Sequence, residues 1–169
     1  MPAVTPPVRP ATRWTIERDR VTVGVGDPAL RRELEEASRQ ARRTADQARR
    51  QWNASAVNER DRWAVKWAAP VLRASDTDSA SNMDRPPTEH VWVLPVSWNA
   101  WRIEGVLAST PRHRIGYAGG DLVGFPTDEL ADWIHTLDGP VDEAFDGKRE
   151  GGFTVQVLER VFGPPMPGE

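Results

Sequence analysis

Glu89-His90-Val91-Trp92-Val93-Leu94-Pro95-Val96, Arg102-Ile103-Glu104-Gly105-Val106-Leu107, Gly120-Asp121-Leu122-Val123-Gly124-Phe125 and Ala131-Asp132-Trp133-Ile134-His135-Thr136 are the segments whose reading decides the fold. Each is a short apolar run, and Gly, Pro, Asn or Asp separates it from the next, as expected of strands joined by tight turns. In the first run His90, Trp92, Leu94 and Val96 fall on one side and Val91 and Val93 on the other, so both faces of that strand should be covered. Trp98-Asn99-Ala100-Trp101 turns it back into a strand over 102–109, giving a hairpin. A further strand is expected over 121–125. Pro126-Thr127-Asp128-Glu129 then makes a turn of helix or a tight bend, and 131–136 reads as strand in preference to helix.

Outward from this core, the upstream chain supplies a long helix. Gly26-Asp27-Pro28 starts it, because Asp27 can cap and Pro28 at the first helical position gives up no needed N–H. Leu30, Leu34, Ala37, Ala41, Ala45, Ala48 and Trp52 recur every three or four residues and form one apolar stripe on a charged helix about 37 Å long. Residues 62–67 read as strand, with Trp63, Val65 and Trp67 on one face. The Ser-, Asp- and Pro-rich stretch 73–87 reads as loop. Trp14–Ile16 and Val21–Val25 suit a small hairpin or one bent strand. Downstream, 138–150 reads as an acidic loop, and 154–162, apolar at 155, 158, 161 and 162, as a helix stopped by Gly163-Pro164-Pro165, with strand as the alternative. The fold class is therefore α+β. We expect a single domain over 13–163, with a mixed and largely antiparallel sheet covered by one long N-terminal helix and a shorter C-terminal helix. Pro-rich 1–12 and 164–169 are expected as tails.

Composition narrows the function classes. The chain has 169 residues, no cysteine and a net charge of −3. Disulfides, thiolate metal sites and cysteine nucleophiles are excluded. No apolar run is long enough to cross a bilayer and no secretory h-region is present, so the cytoplasm is the expected address and no membrane partner is expected. Charge is uneven. Residues 29–50 carry seven Arg against four acids, whereas 121–150 carry nine acids against Lys148 and Arg149. Two solvated faces are the plainer reading of this distribution, which could also steer a basic protein partner; no nucleic-acid partner is expected.

The candidate sites are few. Gly24-Val25-Gly26-Asp27-Pro28-Ala29 has the spacing of a dinucleotide fingerprint, but Pro28 removes a donor that should face the phosphates, so a plain strand-to-helix turn is the better reading. Asp142 and Asp146-Gly147 fit part of a calcium loop that Ala144 and Phe153 break. Asp132 with His90 or His135 is the one constellation that could serve a small hydrolase or a metal-assisted enzyme. Asp132 and His135 share a face only on a helix, so the strand reading separates them. No nucleophile signature surrounds Ser97, although a Ser-His-Asp arrangement assembled from distant positions stays open. No cofactor and no metal are expected. Of the eight Trp residues, Trp63, Trp67 and Trp92 read as core, while Trp98 and Trp101 flank a turn where an exposed aromatic could anchor a partner. Asp142, Glu143 and Asp146 around Phe145 make a second candidate contact surface, with Phe145 as its anchor.

Glu89-His90-Val91-Trp92-Val93, Ile103-Glu104-Gly105-Val106-Leu107, Gly120-Asp121-Leu122-Val123-Gly124-Phe125, Asp132-Trp133 and Gly151-Gly152-Phe153-Thr154-Val155 together resemble a bacterial family, domain-of-unknown-function family 2314 (YegJ-like proteins). The likeness spans about 30–160. It implies a compact α+β fold and supplies no activity. The expected function is a non-catalytic protein-binding module of immunity or antitoxin type, with the Asp132-centred enzyme as the alternative.

Overall fold

The computed structural model describes residues 27–72, 88–145 and 147–163. The hairpin or bent strand expected over 14–25, the loop 73–87 and the two tails lie outside these residues.

Helix α1 runs Pro28–Ala54, about 40 Å. Asp27 caps it, accepting from the N–H groups of Ala29 and Leu30 at 2.9 and 3.3 Å, and Pro28 occupies its first turn. Leu30, Leu34, Ala37, Ala41, Ala48 and Trp52 are buried along one side, so the stripe expected from the sequence is the helix's inward face. Asp27-Pro28, the end of the rejected dinucleotide fingerprint, serves as a helix start.

A 3-10 turn, Val57–Arg62, leads into the sheet. Its strands are β1 (Trp63–Pro70), β2 (Thr88–Trp98), β3 (Arg102–Leu107), β4 (Leu122–Pro126), β5 (Leu130–Thr136) and β6 (Arg149–Gly151). The spatial order is β4-β3-β2-β1-β5-β6, and every pairing is antiparallel. The strand reading of 131–136 is borne out, and Thr127–Glu129 is a 3-10 turn before it.

Alternation sorts each strand between two faces. Towards α1 point Trp63, Val65, Trp67, Val91, Val93, Ile103, Leu107, Val123, Phe125 and Trp133, which pack with Ala41, Ala48 and Trp52. The small alanines bring the helix axis close, and the space between them is filled by rings: Trp98 tilts against Trp52 at 6.4 Å, Trp63 stands edge-on to Trp98, and Trp67 stacks on Phe125 at 5.1 Å. The opposite face holds Ala64, Trp92 and Ile134 beneath Val141, Phe145 and Val155.

The cover on that second face corrects the reading of 138–150 as a solvated acidic loop. The segment contains a short helix α2, Val141–Ala144, and strand β6. Phe145 is only 5% exposed and stands edge-on to Trp92 at 6.0 Å. Asp138, Glu143 and Glu150 face water while Val141 and Phe145 face in, so burial of two apolar groups sets the segment's path and its acids merely line the outside. Helix α3, Phe153–Phe162, follows through Gly151 and Gly152, both with positive φ. A Cβ on Gly151 would strike the Trp133 carbonyl, so the chain can pass this close to β5 only as glycine. Leu158 of α3 meets Leu30 and Leu34 of α1, and Arg160 pairs with Glu33.

Candidate functional site

Register places Asp132, Lys66 and Trp92 in one row across β5, β1 and β2, on the face away from α1. All three side chains are buried. Asp132 sits beneath the first turn of α3. Its Oδ1 accepts from the N–H groups of Trp133 and Phe153 at 2.8 and 3.1 Å. Its Oδ2 accepts from the N–H and the hydroxyl of Thr154 at 2.8 and 2.6 Å. The Lys66 ammonium donates to Thr154 Oγ1 at 2.7 Å and lies 4.7 Å above the Trp92 ring. The Thr154 hydroxyl thus bridges the charges, accepting from the ammonium and donating to the carboxylate.

This arrangement caps a helix from outside it. Gly152, the residue before α3, has no side chain to cap with, so the free N–H groups of the first turn are met by a carboxylate from the neighbouring strand. Burial raises the Asp132 carboxyl above the usual range, while Lys66 and the donated hydrogen bonds pull it back. The sequence reading picked out Asp132 but missed Lys66 and Thr154. The available signal was a lysine inside Trp-Ala-Val-Lys-Trp, a strand with apolar residues on both faces, which obliges the ammonium to find polar company in the interior.

The histidines do not join Asp132. His135 lies on the other face, stacked on Trp63 with ring centroids 4.1 Å apart, its Nδ1 3.1 Å from Glu150 Oε2. His90 shares the Lys66 face and is only half-buried; the protein around it drives its imidazole down to about 3, with the nearby Lys66 charge adding to the effect. Among the described residues neither imidazole is hydrogen-bonded to Asp132, and no group of three His, Asp or Glu side chains could hold a metal ion. His113 belongs to another cluster: Glu89, itself buried, accepts from the N–H groups of Arg112 and His113 and pins the 108–121 loop.

The expected contact residues also separate. Trp98 is buried between Trp52 and Trp63, whereas Trp101 is 75% exposed at the hairpin tip. Glu143 is exposed and Asp142 half-buried on α2, and Phe145 faces inward, so it offers no anchor to a partner; Asp146 lies outside the described residues.

Alongside the polar row runs an apolar one. Leu94, Val106 and Leu122 are aligned across β2, β3 and β4 on the same face. The row starts at the margin of the cluster beneath α2 and α3, against which Leu94 packs, and runs outward from it. Leu94 and Val106 are half-buried, Leu122 is 65% exposed, and Val96, at a bulge opposite β3, is 54% exposed.

These features define an α+β protein built on an antiparallel sheet, with its polar cluster sealed under one half of a face and an apolar row left open on the other half. The chain belongs to the family described as "uncharacterized protein conserved in bacteria (DUF2314)", whose model matches residues 31–165. No curated protein and no solved structure matches it.

Proposed function

We propose that this chain is a non-catalytic protein-binding module whose contact surface is the open half of the sheet. The observation that supports this reading is the distribution of side chains over that one face. Asp132, Thr154 and Lys66, which could do chemistry, are wholly buried and bonded to one another, where no substrate can reach them. The aliphatic residues Leu94, Val96, Val106 and Leu122 form a contiguous strip at the surface instead, the kind of exposed patch that marks an interaction site. The enzyme built on Asp132 with His90 or His135 has no such support, since the carboxylate and the imidazoles do not meet.

An immunity- or antitoxin-type role in the cytoplasm is the finer form of the proposal. It is supported by the exposed acids Asp121, Asp128, Asp138, Glu143 and Glu150, which would draw a basic partner towards this side of the protein. The test is affinity capture from a lysate of the bacterium that makes the protein, with wild type and the Val96→Glu and Leu122→Glu variants compared by quantitative mass spectrometry. At least one protein should be retained by wild type and lost from both variants. Identical capture by all three would overturn the reading.

A further inference from the structure

Strand β4 ends the sheet, and its hydrogen-bonding pattern shows what its outer side offers. Leu107 N–H donates to the Asp121 carbonyl and Thr127 N–H to the Trp101 carbonyl, so residues 121, 123, 125 and 127 turn their backbone groups towards β3. By alternation Leu122 and Gly124 turn N–H and C=O outward, whereas the Pro126 carbonyl belongs to the 3-10 turn that follows. Among the described residues nothing pairs with them. The aliphatic row Leu94–Val106–Leu122 runs straight to this edge. Charge at the edge has one sign: Asp121 and Asp128 are exposed at its two ends, while Arg102, which lies across Gly124, is neutralised by Glu104 at 3.2 Å.

We infer that β4 is a template for strand addition, and that its occupant is an extended segment of a partner protein with an aliphatic residue beside Leu122 and basic residues at both ends. This rests on the protein-binding reading above and names the mode and chemistry of the partner. An added strand satisfies the outward N–H and C=O groups and extends the aliphatic row by one more side chain. A second copy of this chain fits less well. An antiparallel two-fold pairing centred on Gly124 sets Leu122 against Pro126 of the other copy and brings Asp121 of each copy next to Asp128 of the other, so like charges meet at both ends.

The test uses the full chain labelled with 15N and a synthetic peptide of alternating Thr and Val with two Lys at each end. Saturable amide shifts at Leu122 and Gly124 are expected. A peptide ending in Glu should bind about tenfold more weakly at low salt. Leu122→Pro should also weaken binding about tenfold, because it removes an outward N–H that β3 does not use, and Pro is tolerated at such edge positions. Leu122→Ala, which keeps that N–H, should stay within about threefold. Should Leu122→Pro fail to fold, a peptide N-methylated on the residues that face β4 makes the same cut with the protein untouched, and it should not bind. Equal binding of the Lys- and Glu-ended peptides, full binding by Leu122→Pro or by the N-methylated peptide, or a concentration-dependent dimer lost in Leu122→Pro would each overturn the inference. If the peptide leaves β4 unmoved while Leu122→Glu still loses a captured protein, strand addition falls and the binding-module reading stands.

Discussion

Removing the Asp132 carboxylate takes the acceptor from the N–H groups of Trp133, Phe153 and Thr154 and the opposite charge from beside the buried Lys66. Breaking a buried charge pair from one side is costly because the other charge stays behind. Asp132→Ala should therefore lower stability by about 3–5 kcal/mol in urea denaturation; a loss under about 1 kcal/mol would mean that the carboxylate does not hold α3. Trp92→Ala, which empties the space between Lys66 and Phe145, should cost about 3–5 kcal/mol by the same measurement. His90 gives a pH signature. Its imidazole titrates at about 3 in the fold against 6.5 in the open chain, so the unfolded state binds the proton first. Its contribution is complete above 6.5 and is lost as pH falls towards 3, at no more than about 1.4 kcal/mol per pH unit. Asp132 acts with the opposite sign, since a raised carboxyl loses stability as pH climbs through its folded value. His90→Gln should flatten the acid-side loss; an unchanged stability–pH curve would show that His90 is not held neutral.

Phe145 and its neighbours act as an element, a lid of α2 and β6 over one half of the sheet face. Phe145→Ala should destabilise by about 3 kcal/mol, because the ring fills a buried site against Trp92. Glu143→Gln, at the exposed outside of α2, should stay within about 0.5 kcal/mol. Equal effects from the two would return the segment to the solvated loop its composition implies. That contrast marks where the sequence is legible. Helix α1 is readable because its stripe repeats at 3.6 residues over about six turns, and β2, β3 and β5 are readable because their side chains alternate between turn residues. What is not readable is long-range partnership. Lys66 meets Thr154 across 88 residues and Phe145 meets Trp92 across more than fifty, and no local pattern records either meeting. Acidic neighbours made Phe145 look solvated, while the helix-period stripe at 155, 158, 161 and 162 correctly placed α3 but said nothing of the carboxylate beneath its first turn.

For the whole molecule, the sheet divides its labour across one face. Under α2 and α3 the face is closed and polar residues serve the fold; towards β4 it is open, and its aliphatic row is the contact surface proposed above. Both halves can be seen together in the native-state hydrogen exchange of backbone amides, read residue by residue by NMR. The first amides of a helix ordinarily exchange quickly, because no carbonyl of the same helix accepts from them. Here the amides of Phe153 and Thr154 should be protected, since both donate to the buried Asp132. Along β4 the amides should alternate, Val123 and Phe125 slow, Leu122 and Gly124 fast. Fast exchange at Phe153 and Thr154, or slow exchange at Leu122 and Gly124 in the isolated protein, would contradict the account.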